Sequence, residues 1–451
     1  MKMKNHPIRV TLLLLAVFAI LLLLRLMPPF ELGTVEIKKT DILSDLIKPD
    51  GEDDGGEAAM LEALRKQKPV FRDSCPPGMT CIEDYATTVN MGHFYEALRC
   101  KDSIGRPVRI AYYGDSFIEG DIITDALREM LQDRFGAGGL GFVDVASEMI
   151  ELRPTIAHQA DGWTDANLMK KQECNTANLS MSGHYAEAQT KAFVDYRLQP
   201  VRRHIGPFEQ ATLFVKPASC SQVSVARDGG PAESIAVTQS TTAVATATVS
   251  GPMSRVRFDV PSGTIAYGVA LENHRGIVVD NFSIRGCSGT PLNSIPESHL
   301  QAINTLRPYD LVIIHFGLNV ANKKQKNYSG YASHMKEVID RFKRSMPHTA
   351  LLVVSISDRE DKVGGKLETA PGVMQLLAAQ QQMAIDGGVA FWNLFEAMGG
   401  AGSIKEMADR KPAEARKDYT HINRRGGDRI ADILCRSLLH GFESYKKNNE
   451  Q

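Results

Sequence analysis

Tryptophan and cysteine are scarce in this sequence, 2 and 7 among 451 residues, and its charges nearly cancel, with 52 lysines and arginines against 53 aspartates and glutamates. So even a balance gathers no nucleic acid non-specifically, and no nucleic-acid partner is expected. Seven cysteines are too few for a disulfide framework in a chain this long. No cysteine or histidine cluster has zinc-site spacing, so neither a structural metal nor a cofactor is expected. Cys75 and Cys81 are placed to close a small loop in an oxidising compartment.

Long apolar runs are also scarce. The one that stands out is Val10–Leu24, behind Lys2, Lys4 and Arg9. It is short for a full span, but Leu26 and Met27 extend it and Arg25 can snorkel. No small-residue cleavage site follows; Pro28 and Pro29 come instead. A retained signal anchor over residues 1–30 is expected, with a cleaved signal peptide as the alternative. The rest of the chain would then sit in the bacterial cell envelope, on the periplasmic or outer side of the inner membrane.

Residues 31–83, with the acidic run GEDDGGE and several prolines, read as a tether. Beyond it, the near-continuous apolar runs IAYYG (Ile110–Gly114), DLVIIHF (Asp310–Phe316), ALLVVSIS (Ala350–Ser357) and GVAFWNLF (Gly388–Phe395) alternate with helical patterns. Strands buried on both faces and separated by helices predict a parallel α/β sheet, split here into residues 84–150 and 280–445. Between them, residues 151–279 show Val/Thr/Ala alternation punctuated by Gly and Pro, which predicts an inserted antiparallel β-sandwich. The GxGxxG run Gly136–Gly141 follows a helix and precedes a strand, the reverse of a dinucleotide turn, so no nucleotide site is expected.

Three polar motifs are predicted at the carboxyl edge of the parallel sheet, where open α/β sheets place their active sites. Gly114-Asp115-Ser116 ends the first strand and puts Ser116 at a predicted helix N-terminus, as nucleophile or merely as cap. Asp115 reads as the residue that holds the turn. Asp418 and His421, three positions apart, suit an acid folding back on an imidazole Nδ1–H and freeing Nε2 to accept a serine proton. Asn319, in GLN at the end of another strand, can offer an amide to an oxyanion, and Gly286 in FSIRGCSG an unobstructed backbone N–H, with Gly289 as its substitute. His315 reads as a core histidine. Asp358 is placed for substrate binding, for surface pairing or as a fallback acid, and Trp163 for stacking on a sugar ring or for the core of the β-rich block.

In this order GDS, the glycine block, GxN and DxxH resemble the four blocks of the SGNH (GDSL-like) hydrolase superfamily, across residues 84–145 and 280–445. The resemblance implies a flavodoxin-like three-layer α/β/α sandwich, with Ser116, His421 and Asp418 as catalytic triad and Ser116 N–H, Gly286 and Asn319 as oxyanion hole. The inserted β-rich block, carbohydrate-binding-like, is similar in layout to two-domain bacterial polysaccharide and peptidoglycan O-acetylesterases. Phe117 and Val320 depart from the usual pattern. The expected activity is removal of O-acetyl or other short acyl groups from a cell-wall or exported polysaccharide. The alternatives are an O-acetyltransferase supplied by a membrane acyl-transfer partner, and a non-catalytic carbohydrate-binding protein.

Overall fold

The computed structural model describes residues 30–32, 35–37, 75–170 and 174–449. The expected anchor run Val10–Leu24 lies outside them, and among the described residues no helix is long and apolar enough to cross a membrane. Of the two compact units, residues 1–59 contain the antiparallel pair Phe30–Leu32 and Val35–Ile37. All that follows belongs to residues 60–451, near whose start Cys75 and Cys81 form the expected disulfide.

The central sheet runs in the order Ile277–Ser283, Val108–Gly114, Leu311–His315, Ala350–Val354, Ala390–Trp392, with the two-residue strand Glu83–Asp84 at the far edge. The first five strands are parallel and the last is antiparallel. In chain order the parallel strands stand 2-1-3-4-5, the flavodoxin-like doubly wound order. Val108–Gly114 and Leu311–His315 are buried at every position, as strands covered on both faces must be. Helices Met91–Arg99, Thr124–Phe135 and Arg424–Asn449 pack with one another, and Glu297–Leu306, Ser329–Ser345 and Val373–Gly387 form a second group. One apolar core joins both groups to the strands.

The register decides where chemistry can occur. Ser283, Gly114 and His315 stand level, Val354 is level with His315, and Trp392 with Val354. The loops that follow therefore leave one rim together. The chain leaves Val108–Gly114 toward one neighbour and returns on its other side, so the segment after Gly114 lies at the switch point of the sheet.

The inserted strands differ from expectation in extent and in form. The first is Gly139–Val143, which pairs with Ile265–Glu272, and Ile277–Ser283 already belongs to the parallel sheet. The expected two-sheet sandwich is a single nine-stranded antiparallel sheet. It curls round its own apolar core until Thr238 and Thr246 exchange backbone hydrogen bonds of 2.7 and 3.3 Å. Curling covers backbone groups that an open edge would leave unpaired. The glycine run serves this junction. An ideal Cβ on Gly138 would lie 2.5 Å from the Ile277 carbonyl oxygen, and one on Gly141 2.1 Å from Asp280 Oδ1, so the run is glycine because strand meets strand there. Buried charges tie the two sheets together: Arg307 pairs with Asp280 at 2.6 Å and Glu272 at 2.7 Å, and Arg109 with Glu272 at 2.8 Å.

Candidate active site

Gly114 ends its strand because a side chain there would meet Ile118 at 2.9 Å and the His315 carbonyl oxygen at 3.0 Å. The Asp115 carboxylate accepts the Phe117 N–H at 2.9 Å, turning the chain and presenting half-buried Ser116. Ser116 does not stand at the N-terminus of the long helix, where the sequence predicted it, and so it does not serve as the alternative cap either. A short 3-10 turn, Glu119–Asp121, intervenes, and the helix starts at Thr124. The turn needs positive φ at both Gly120 and Asp121. Asp121 tolerates it because its fully buried carboxylate takes Arg153 at 3.0 Å, Arg128 at 3.3 Å and the Thr124 hydroxyl at 2.7 Å.

The histidine arrives from the other end of the chain. Ser116 Oγ lies 3.3 Å from His421 Nε2, and His421 Nδ1 lies 3.0 Å from Asp418 Oδ2. The other Asp418 oxygen accepts the N–H groups of Thr420 and His421, both at 3.0 Å. Burial pushes this carboxyl up, but those amides and the His421 ring outweigh it and hold it below the usual carboxylate value. The loop is fixed by the Arg416 N–H on the His421 carbonyl at 2.7 Å and the Glu360 N–H on the Tyr419 carbonyl at 2.9 Å, with Tyr419 at φ 52°.

Two residues that help bring His421 to Ser116 were read in the sequence only as part of a final helix. Gly427 lets that helix seat on the serine loop: an ideal Cβ would stand 1.7 Å from the Ile122 carbonyl oxygen. Arg424 clamps the same contact through Asp125 at 3.0 Å, the Gly120 carbonyl at 3.1 Å and the Leu152 carbonyl at 3.2 Å. The glycine pair in INRRGGDR was the available signal, since glycine inside a helix lowers its stability unless close approach requires it.

Asn319 follows the Leu311–His315 strand, is exposed, and donates one amide hydrogen to the Cys287 carbonyl at 3.3 Å, which joins the asparagine and glycine blocks. Gly286 is exposed at φ +78°, and a Cβ there would meet only Met169, at 3.8 Å. Gly289 is buried, and an ideal Cβ there would meet Met335 and Phe316 at 2.8 Å, so its glycine serves packing. The N–H groups of Ser116 and Gly286 donate to nothing among the described residues. Beneath them Asp115 is almost fully enclosed. Burial pushes its carboxyl up to about 6, although the Phe117 N–H bonded to it, the polar groups of Gly317 and Asn319 nearby and the charge of His421 pull it down.

One expectation is corrected. Asp358 is fully buried, and its carboxylate accepts the Thr369 hydroxyl at 2.9 Å and the Ile404 N–H at 3.0 Å, so it caps the helix Ser403–Asp409 and has no free oxygen for substrate. It is not needed as a fallback acid either, because Asp418 occupies Nδ1. Trp163 is half-buried, donates its indole N–H to the Phe193 carbonyl at 2.8 Å and packs on the core of the curled sheet, the alternative that the sequence left open. His315, as expected, is a core residue: its Nδ1 meets the Tyr112 hydroxyl at 3.0 Å, and burial lowers its pKa to about 3. Among the described residues no group of three His, Cys, Asp or Glu side chains is arranged to hold a metal ion.

No family model and no curated protein sequence matches the chain. Solved structures do. A peptidoglycan O-acetylesterase superposes with a TM-score of 0.67 at 22% identity, covering 80% of this chain and 99% of that one. A salicylyl-acyltransferase from a tetracycline biosynthetic pathway matches at TM-score 0.30 and 13% identity, covering 64% and 95%. A family two carbohydrate esterase from Clostridium thermocellum matches at TM-score 0.28 and 9% identity, covering 57% and 94%. The first likeness bears out, at the level of fold, the resemblance carried by the four sequence blocks: this chain shares its architecture with a peptidoglycan O-acetylesterase over nearly the whole of that protein's length.

Proposed function

We propose that this protein is an extracytoplasmic serine esterase that removes O-acetyl groups from a cell-wall or exported polysaccharide. The observation that carries the reading is the hydrogen-bonded line from Ser116 Oγ through His421 to Asp418, at 3.3 and 3.0 Å. His421 Nε2 accepts the hydroxyl proton as Oγ attacks the acetyl carbonyl carbon. Asp418 holds the Nδ1–H and balances the imidazolium that forms. The negative oxygen is received by the N–H groups of Ser116 and Gly286 and by the second amide hydrogen of Asn319, each donor worth about 3 kcal/mol of barrier. His421 then protonates the departing sugar oxygen, leaving acetyl on Ser116. Water, deprotonated by the same imidazole, releases acetate.

The shared architecture with a peptidoglycan O-acetylesterase supports the polysaccharide assignment. The Cys75–Cys81 disulfide and the Val10–Leu24 run support placement beyond the cytoplasmic membrane. Met169, two residues past the curled-sheet strand Ile156–Asn167, stands beside Gly286, and the curled sheet beyond it is the surface for the glycan chain in this reading. The test is acetate release from O-acetylated polysaccharide and from p-nitrophenyl acetate. Hydrolysis of both, lost in Ser116→Ala, is expected. Acetyl transfer to added glycan in preference to water would make the protein a transferase. Absence of fluorophosphonate labelling at Ser116 would leave only a binding protein.

A further inference from the structure

Beyond Asn319 the rim carries cations that the mechanism does not use. The loop Lys323-Lys324-Gln325-Lys326 is anchored at its base: the buried Tyr328 hydroxyl accepts the Asn322 N–H at 3.0 Å, and the Asn322 side chain accepts the Lys324 N–H at 3.0 Å. Arg359 joins the start of this segment to the next by donating to the Leu318 carbonyl at 3.1 Å, and Lys323 reaches Asp361 at 3.5 Å. That next segment is the hairpin Glu360–Val363 and Lys366–Thr369, held to the Asp418–His421 loop through Glu360 N–H and Tyr419 C=O. The lysine loop, the hairpin and the histidine loop are thus one continuous structure, which meets Ser116 at His421.

On it Lys324, Lys326, Lys362, Lys366 and Arg416 are exposed, and none has a carboxylate partner among the described residues. The acids nearby are engaged. Asp361 faces Lys323 and Arg359, Asp418 faces His421, Asp409 faces Lys405 and Lys417, and Glu360 is buried. Glu368 is the exposed carboxylate left over. These joined segments carry five cations without a carboxylate partner against one such carboxylate, in a chain whose net charge is -1. At physiological salt a charge acts over about 8 Å, so such a cluster is felt by a chain lying on the rim and not by distant solutes.

We infer that this rim recognises the anionic groups of an acidic glycan, so that the substrate is an O-acetylated polysaccharide bearing negative charges on sugars or side groups near the ester. The inference rests on the esterase reading above. Lysines on one anchored loop suit this task, because each is a point charge on a flexible stem that tolerates variable spacing of the anions.

The test compares the full-length protein with Lys324→Gln/Lys326→Gln and Lys324→Arg/Lys326→Arg. Acetate release is followed from O-acetylated peptidoglycan, from O-acetylated polygalacturonate and from the latter with its carboxyls methyl-esterified, and p-nitrophenyl acetate is hydrolysed in parallel. The glutamine variant should raise KM on the anionic polymers about three- to tenfold at low salt with kcat unchanged, and leave p-nitrophenyl acetate untouched. The arginine variant should restore KM, and high salt should erase the difference. Equal KM for the charged and the esterified polymer, or turnover of p-nitrophenyl acetate with neither anionic polymer, overturns the inference and spares the esterase. Failure to hydrolyse any ester removes the esterase reading itself.

Discussion

Gly427 of the last helix packs directly on the carbonyl oxygen of Ile122, close enough that a Cβ would stand 1.7 Å from it. Ile122 follows Ser116 by six residues and Gly427 follows His421 by six, so this one contact aligns the Ser116 and His421 loops, which are 305 positions apart in the chain. Gly427→Ala must push the helix away from the serine loop. The expected result is a loss of kcat of about 10²-fold or more, since misplacement of about 1 Å suffices for that. Near-normal kcat in a folded variant would show that the contact does not set the catalytic distance.

Asp418→Asn should lower kcat by about 10³- to 10⁴-fold with KM little changed, because an amide in that place favours the wrong imidazole tautomer. The amide oxygen can still accept a backbone N–H, so the loop should survive. Full activity in Asp418→Asn would reassign the acid.

Asp115 gives a pH-dependent stability. Its carboxyl titrates at about 6 in the folded protein against an ordinary value of 3.8, so the folded state holds the proton more tightly and stability falls as pH rises through this interval. The cost of the buried charge above pH 6 is about 3 kcal/mol. Asp115→Asn retains an acceptor for the Phe117 N–H and removes the charge. Its melting temperature relative to the unmodified protein should therefore be higher at pH 8 than at pH 4. An identical difference at both pH values is the result that contradicts this.

Asp358→Ala should destabilise the fold by about 1–3 kcal/mol through the lost cap and the stranded Thr369 hydroxyl, while leaving KM for small esters unchanged. Denaturant titration and ester kinetics on the same preparation separate the two. A raised KM with unchanged stability would return Asp358 to substrate binding.

Gly141→Ala should cost several kcal/mol, because the residue combines φ +94° with a Cβ 2.1 Å from Asp280 Oδ1. Nicotinamide and adenine nucleotides should not shift the melting temperature of the unmodified protein. A nucleotide-dependent shift would reopen the glycine run as a phosphate site.

By itself the sequence determined the parallel sheet and singled out Ser116, Asp418, His421 and Asn319 as polar residues at or near its carboxyl rim. These were legible because a strand buried on both faces must be apolar throughout, so a polar residue at its carboxyl end stands out. Asp418 and His421 were legible as a pair because three positions suffice for a carboxylate to reach back to its imidazole. Only the tertiary structure decided the rest. That Asp358 is a cap, Trp163 a packed indole and Gly136–Gly141 a junction depends on what each atom meets across the fold. So does the closure of the inserted strands into one curled sheet, where pairing between Thr238 and Thr246 is set by curvature. The Gly427 contact belongs to the same class. Periodicity reports which face of an element is buried, whereas distances between elements far apart in the chain follow from packing.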